Sequence, residues 1–216
     1  MKATFKDPGS AITHLIGAVA AAAATLPLLL KASQHAGTGR TLSLGIFMGT
    51  MILLYAASTT YHSLDISEKV NRVLRKLDHM AIFLLIAGTY TPVCLCVLPQ
   101  PLGLRLCLLV WGIALAGILI KAFWITCPKW FSSLLYIGMG WVCVLALREL
   151  VAVLSPAAFG WLLAGGLIYT AGGILYALKL PLFNARHPVF GSHEIFHLFV
   201  MGGSLCHYIM MYQFIA

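Results

Sequence analysis

Seven long apolar segments, separated by short polar stretches, fill most of the 216-residue sequence. Each segment is about 20 residues long, which is the length an α-helix needs to cross the hydrocarbon core of a bilayer. The pattern therefore predicts an all-α polytopic membrane protein: a seven-transmembrane-helix bundle forming a single domain over residues 1–216. The predicted helices cover approximately residues 11–31, 42–62, 78–98, 103–123, 132–152, 159–179 and 193–214.

The composition supports a membrane location. The chain is 61% hydrophobic and only 9% charged, which leaves too little charged surface for a water-soluble globule of this size. Most of the 14 Lys and Arg residues fall on one side of the membrane if the N-terminus is cytoplasmic and the C-terminus outside. The positive-inside rule favours that orientation. The net charge of +8 then indicates attraction to anionic inner-leaflet lipid. Nucleic-acid binding is not expected, because the basic residues form no patch or motif.

Other local features have ordinary structural interpretations. The six cysteines include no CxxC pair and predict buried free thiols rather than a disulfide framework. Signal-peptide cleavage after Ala18-Val19-Ala20 is not expected, because this tripeptide lies in the middle of its apolar run. We expect Gly45-x-x-x-Gly49 to pack within the bundle, with dimerisation as the alternative. The tryptophans and Lys121, near the ends of the fourth to sixth helices, are predicted interface anchors.

The last predicted helix opens with two histidines, His193 and His197. They stand four residues apart, so on a helix they share a face and lie about one turn apart. Both imidazoles can therefore reach one ion. A zinc site needs at least three protein ligands, so a further residue must come from elsewhere in the chain.

The predicted topology supplies that residue. The second helix ends on the cytoplasmic side at His62, and the third begins there at Asp78. Both residues should therefore lie at the same membrane depth as His193 and His197. Three neutral imidazoles with an open fourth position suit zinc. Asp78 and Ser58, one turn before His62, are polar groups that could orient the ligands or a bound water.

The remaining polar residues are less informative. His14 lies at the correct end of its helix and is predicted either to pack there or to enter the zinc surroundings or touch substrate. His79 is expected at the membrane edge or in packing, and His207 is about 15 Å along the helix from His197, too far to share the ion. Glu194 is left open between the cavity and the headgroups. The rest are predicted to be solvated: the polar stretch Ser63 to Leu77, as a turn or short surface helix, and His35 and His187 in loops.

These motifs resemble the progestin and adipoQ receptor family, and within it the bacterial haemolysin III-like branch. The resemblance rests on Ser58-x-x-x-His62, on Leu77-Asp78-His79-x-x-Ile82-Phe83 with Gly88-Thr89-Tyr90-Thr91-Pro92, on His193-Glu194-Ile195-Phe196-His197, and on Thr13-His14-x-x-Gly17. Upstream of the first helix, where bacterial relatives tend to show an acidic residue and an asparagine, this sequence has Asp7 and Ser10 at similar spacing.

The resemblance implies a seven-helix fold in the bacterial inner membrane, with zinc near the cytoplasmic side. Residues matching His62, His193 and His197 hold the ion, and those matching Ser58 and Asp78 support it or its water. Together with the related alkaline ceramidases, this implies a hydrolase of lipid amides or esters that acts through a zinc-bound water, with Asp78 as general base. The alternative is a non-enzymatic regulator of membrane lipid composition with structural zinc. A cytolysin is less expected, because such an apolar chain has no obvious route to secretion. Membrane lipids are the expected partners, and a homo-oligomer is compatible with the sequence.

Overall fold

The computed structural model describes residues 6–34, 38–178 and 190–216. Within these ranges there is no strand, and seven helices are long and apolar enough to cross a membrane, which confirms the predicted fold class. The end of the sixth predicted helix at residue 179 lies outside the described residues, as do His35 and His187. The seven helices are α1 (Pro8–Ser33), α2 (Thr38–Ser63), α3 (Glu68–Val97), α4 (Leu102–Phe123), α5 (Lys129–Val153), α6 (Pro156–Leu178) and α7 (Ser192–Phe214).

Most of the helices extend beyond the apolar segments that predicted them. The largest difference is in α3, which begins at Glu68 instead of residue 78. The Ser67 hydroxyl accepts a hydrogen bond from the Val70 N–H at 3.3 Å and caps this end. Much of the polar stretch predicted to be a turn or short surface helix is therefore the first part of α3. Hydropathy misses such extensions because a helix end in water needs no apolar side chains.

The helices pack in an order that encloses α3 and leaves α6 at the edge. Contacts join α1 to α2, α2 to α3, α3 to α4, and α6 to α7, and α7 returns to pack against α1. Within the most apolar 18-residue stretch of each helix, 61% is buried in α3, compared with 11% in α6. Many large apolar side chains on the outside of the bundle are exposed, as expected for surfaces that contact lipid. Examples are Leu42, Phe123 and Leu145.

Two helices contain irregular turns. The end of α3 is a π-helix at Val93–Val97, and α5 is 3₁₀-helical at Trp141–Ala146. The Tyr90 hydroxyl of α3 contacts the break in α5, donating to the Gly140 carbonyl at 2.6 Å and accepting from the Cys143 N–H at 2.8 Å. Irregular backbone at membrane depth is tolerated where protein groups satisfy it in this way. Tyr90 therefore stabilises the break.

The glycines of α2 and α3 have different environments. A Cβ at Gly88 would lie 2.0 Å from the Thr50 Oγ1 of α2, so close contact between α3 and α2 requires glycine there. At Gly45 and Gly49 an added Cβ would meet no atom within 4 Å. The prediction that Gly45 and Gly49 pack within the bundle is therefore wrong. A four-residue spacing places two small residues on one face but does not say which way that face points.

Lys121 at the end of α4 is fully buried. Its Nζ donates to the Ser132 Oγ at 2.6 Å and to the Cys127 Sγ at 3.1 Å. The prediction that Lys121 is an interface anchor is wrong, because Cys127 in the connection to α5 and Ser132 in the first turn of α5 bind its ammonium inside the protein. The cysteine prediction is confirmed, since all six cysteines are free thiols and four of them are buried.

Candidate metal centre

His62 occupies the last turn of α2, and its ring is turned inward, with the residue only 4% exposed. Ser58 lies one turn earlier on the same face and is completely buried. Its hydroxyl oxygen has no hydrogen-bond partner in the described chain. The end of α2 therefore directs an imidazole and a free hydroxyl towards the interior.

His193 and His197 occupy the first two turns of α7. Glu194 caps this helix end, because its Oε2 accepts a hydrogen bond from the Gly191 N–H at 2.8 Å. Its other oxygen accepts a hydrogen bond from the Ser10 hydroxyl of α1. Glu194, which the sequence left open, therefore fixes the start of α7 against α1 and so positions both histidines.

The three histidines come together between α2 and α7. One ring nitrogen from each of His62, His193 and His197 lies within 4.8 Å of the other two. The Nε2 atoms of His62 and His193 are 3.3 Å apart. Two nitrogens bound to one tetrahedral zinc at about 2.0–2.1 Å would stand roughly 3.3–3.4 Å apart. Three imidazoles that converge at this spacing could hold one metal ion, and the donor set suits zinc.

A contact with α1 favours the Nε2 of His197 as the nitrogen offered to a metal. The Thr13 hydroxyl lies 3.2 Å from the His197 Nδ1 and donates its only proton to the carbonyls of Gly9 and Ser10. The hydroxyl can therefore accept the Nδ1 proton of His197. A neutral imidazole with its proton on Nδ1 has a free lone pair on Nε2. In metal sites, the histidine nitrogen that does not bind the metal typically donates its proton to a neighbouring group in this way.

Asp78 and His14 lie beside the three histidines. Asp78, on α3, is buried with only 7% of its surface exposed, and its Oδ2 is 3.2 Å from the Nδ1 of the neighbouring His79. His14, on α1, stacks on the His197 ring with 3.7 Å between ring centroids, and neither of its nitrogens has a hydrogen-bond partner in the described chain. A buried polar atom without a partner calls for an explanation, such as a functional role or a bound water or ion.

A cavity of about 370 Å³ leads away from this centre into the bundle. Its polar end is lined by His14, Ser58, Asp78, His79, His193 and His197. Most of the remaining wall is apolar and comes from α3, α5 and α6. Long apolar cavities with a few polar groups at one end are typical of ligand sites.

The structure brings His62, His193 and His197 together and places Ser58 and Asp78 on the same cavity. The catalytic roles given to Ser58 and Asp78 stay predictions. His207 lies apart, with its ring stacked on Tyr169 and against Gly165 of α6. His79, expected at the membrane edge or in packing, is buried beside Asp78, and it also lines the cavity.

Two contacts of the centre were not found from the sequence. Asp7, just before α1, has its Oδ2 3.0 Å from the Nδ1 of His62, and Thr13 contacts His197. The only signal for Asp7 was its position upstream of the first helix, where related sequences tend to be acidic. Thr13 was visible only as the residue before His14. The histidine ring that Asp7 or Thr13 contacts depends on how α1 packs against α2 and α7, which the sequence does not show.

Comparison with known proteins places the chain among related membrane proteins. A family model described as haemolysin-III related matches residues 3–208. The chain is 39% identical over 199 residues to Hemolysin-3 of Bacillus cereus, which covers 92% of this chain and 87% of that protein. Identity to the Hemolysin-3 homolog of Bacillus subtilis (strain 168) is also 39% over 199 residues, covering 92% and 89%. The adiponectin receptor protein of Drosophila melanogaster is 26% identical over 237 residues, covering 94% of this chain and 49% of the receptor. No solved structure matches the chain significantly.

Proposed function

The chain belongs to the haemolysin-III related family of multi-pass membrane proteins, and we propose that it is a zinc-dependent hydrolase of lipid amides or esters. One observation carries the proposal: three histidine nitrogens converge beside a buried carboxylate at the polar end of an apolar cavity. Adiponectin receptors are more distant relatives, which agrees with the resemblance seen in the motifs.

The residues of the centre divide into ligands and reacting groups. His62, His193 and His197 would hold the ion. When bound, zinc supplies Lewis acidity that polarises a carbonyl and activates water for attack. Asp78 accepts the proton that the attacking water loses, as a general base. Ser58 donates a hydrogen bond to the water or to the oxygen on which negative charge develops.

The cavity supports a lipid substrate. Its apolar wall, which includes Ile82, Leu85 and Ile86, can take up an acyl chain while the amide or ester carbonyl remains at the polar end. His14 also lines this end and has two unpartnered nitrogens, so a neutral His14 ring can donate a hydrogen bond to the substrate. The polar groups would then fix where along the lipid the reaction occurs.

A non-enzymatic role is the second candidate. The histidines come from two helices, and α1 contacts them through Asp7 and Thr13. Zinc bound there would join α2 and α7, with α1 attached through these contacts, and could act as a structural clamp in a protein that regulates lipid composition. Cytolysis, which the name Hemolysin-3 suggests for the Bacillus cereus relative, is a third candidate and can be checked by red-cell lysis.

The decisive experiment measures bound metal and lipid turnover on the same samples. Wild type, His193→Ala and Asp78→Asn are purified in detergent, with Thr25→Ala as a control, because Thr25 bonds only its own helix. We expect about one zinc per wild-type chain and none in His193→Ala. Asp78→Asn should keep its zinc but lose about 10²- to 10⁴-fold in turnover, the contribution typical of a general base.

The outcomes separate the candidates. Zinc in the wild type without turnover of any lipid amide or ester class would exclude the hydrolase and favour the clamp. Wild type without zinc would exclude both. Equal turnover by Asp78→Asn and wild type would remove the general-base role while leaving the hydrolase intact.

The orientation and the membrane belong to the same proposal. We place the N-terminus and the metal centre on the cytoplasmic side of a bacterial inner membrane, because Lys and Arg concentrate in the loops on that side. Reporter fusions after α2 and after α3 test this orientation. A cytoplasmic signal from the α2 fusion and a periplasmic signal from the α3 fusion are expected, and the reverse pattern would contradict it.

A further inference from the structure

Asp7 holds His62 at two points. Its backbone N–H donates to the His62 carbonyl at 2.9 Å, and its Oδ2 lies 3.0 Å from the His62 Nδ1. Asp7 directly precedes α1, and its side chain is 44% exposed, whereas His62 is buried. A residue at the edge of the bundle therefore contacts the ring of a candidate ligand.

The side-chain contact determines how the His62 ring can bind. A neutral imidazole carries one proton, and a carboxylate can only accept. With the Nδ1–H donated to Asp7, the lone pair of His62 is on Nε2. That is the nitrogen 3.3 Å from the His193 Nε2. Asp7 thus favours the tautomer whose free nitrogen points at the candidate metal position. Its negative charge also makes that nitrogen a stronger electron-pair donor to a metal.

The three histidines differ in this respect. His197 is held by the neutral hydroxyl of Thr13, and the Nδ1 of His193 is buried without a hydrogen-bond partner in the described residues. Among the described side chains, His62 alone of the three has a carboxylate hydrogen-bonded to its ring. The strongest influence of a neighbouring residue on metal affinity should therefore be at His62.

We propose that Asp7 is a positioning residue of the metal centre, which selects the metal-binding tautomer of His62 and sets the affinity for zinc. The proposal rests on the proposed function only in requiring that the centre binds metal, and it does not depend on hydrolysis. It makes the segment before α1 a functional part of the site, although this segment lies outside the apolar run of the first helix.

A purely structural role for Asp7 makes different predictions. The segment is also docked by the backbone bond to His62 and by Lys6, whose Nζ lies 3.7 Å from the centroid of the Tyr61 ring. Asp7→Ala and Asp7→Asn keep that backbone bond. Asp7→Asn also keeps an oxygen that can accept the Nδ1 proton, but it removes the charge. Lys6→Met removes the cation over Tyr61 and leaves Asp7 unchanged, so it is the matched control for docking.

The test measures zinc affinity by chelator competition on protein in lipid nanodiscs. We expect Asp7→Ala to bind zinc about 10- to 100-fold more weakly than wild type, the usual effect of removing such a partner, with Asp7→Asn intermediate and Lys6→Met unchanged. Nitrogen-15 NMR of the zinc-free protein, with His62 assigned by substitution, should show the Nδ1-protonated tautomer in wild type and a mixture in Asp7→Ala.

The results that overturn the proposal differ from those that overturn the function. If the wild type binds zinc and Asp7→Ala binds it equally well, the positioning role is wrong and the metal centre stands. An equal loss of affinity in Lys6→Met and Asp7→Ala would assign the effect to docking and also overturn it. If Asp7→Ala does not fold, Asp7→Asn decides, and wild-type affinity in that variant counts against the proposal. If the wild type binds no zinc, both the positioning role of Asp7 and the metal centre are wrong.

Discussion

Two buried polar clusters of this protein have opposite hydrogen-bonding states. In the first, Lys121 donates to Ser132 and Cys127, and Ser132 donates in turn to the Pro128 carbonyl at 3.3 Å. In the second, the metal centre, the three histidines turn ring nitrogens towards one another, and Ser58 nearby has no partner. The Lys121 ammonium has acceptors within the protein, whereas the Ser58 hydroxyl, the His193 Nδ1 and both nitrogens of His14 have no hydrogen-bond partner among the described residues.

From this difference we infer that the histidine centre is the candidate ligand site. A buried polar group without a partner costs free energy, so it persists only if something else satisfies it or function requires it. The ammonium of Lys121 is the more expensive group to bury, yet it has acceptors and needs nothing further. The imidazoles could hold a cation between them. Buried charge alone is therefore a poor guide to a binding site.

The largest expected effect is on the histidine centre. We expect His197→Ala to lose zinc binding, because two imidazoles remain and zinc sites need three ligands. Zinc at 100 times its dissociation constant should stabilise the wild type by about 2.7 kcal/mol and leave the variant unaffected. Thermal melting in detergent, with and without added zinc, measures this. A variant that zinc still stabilises as strongly as wild type would mean that the ion binds elsewhere.

The next effect is on the lysine cluster. Ser132→Ala removes the shorter of the two hydrogen bonds of the Lys121 ammonium, and we expect a loss of about 1–3 kcal/mol of stability. The zinc content should not change, because the described contacts of Ser132 do not include the histidines. Melting temperature and metal content are measured on one preparation. Loss of zinc together with stability would show that the two clusters are coupled, contrary to the comparison.

The smallest effect is expected for Lys121→Met. Methionine has a similar length and carries no charge to desolvate, and Ser132 keeps its bond to the Pro128 carbonyl. We expect a stability within about 1 kcal/mol of wild type, with full zinc content. Replacing a ligand histidine would then abolish zinc binding, whereas replacing this lysine would leave both zinc content and stability nearly unchanged. A large loss of stability in Lys121→Met would mean that the ammonium has a role beyond the two hydrogen bonds described above.

Hydrophobic patterning predicted the seven helices because a spanning helix must be apolar over a fixed length. Chain direction then predicted the same membrane depth for His62 as for His193 and His197, since consecutive spans alternate across the membrane. Contacts between helices were harder to predict from the sequence. Asp7 reaches His62 only because the backbone before α1 bonds to the end of α2, and Lys121 is buried only because the turn after α4 folds over it. Such contacts depend on tertiary packing, which residue spacing does not encode.

The bond between Tyr90 and the break in α5 has a mechanical consequence. A 3₁₀ turn rises about 2.0 Å per residue instead of 1.5 Å, so the six residues Trp141–Ala146 lengthen α5 by about 3 Å relative to a regular helix. Tyr90, Trp141 and Cys143 all line the cavity. Tyr90 belongs to α3, the same helix that carries Asp78. Two phenols thus hydrogen-bond α3 to α5: Tyr90 at the lengthened segment, and Tyr136 of α5, whose hydroxyl donates to the carbonyl of His79, the neighbour of the Asp78 carboxylate, at 3.1 Å.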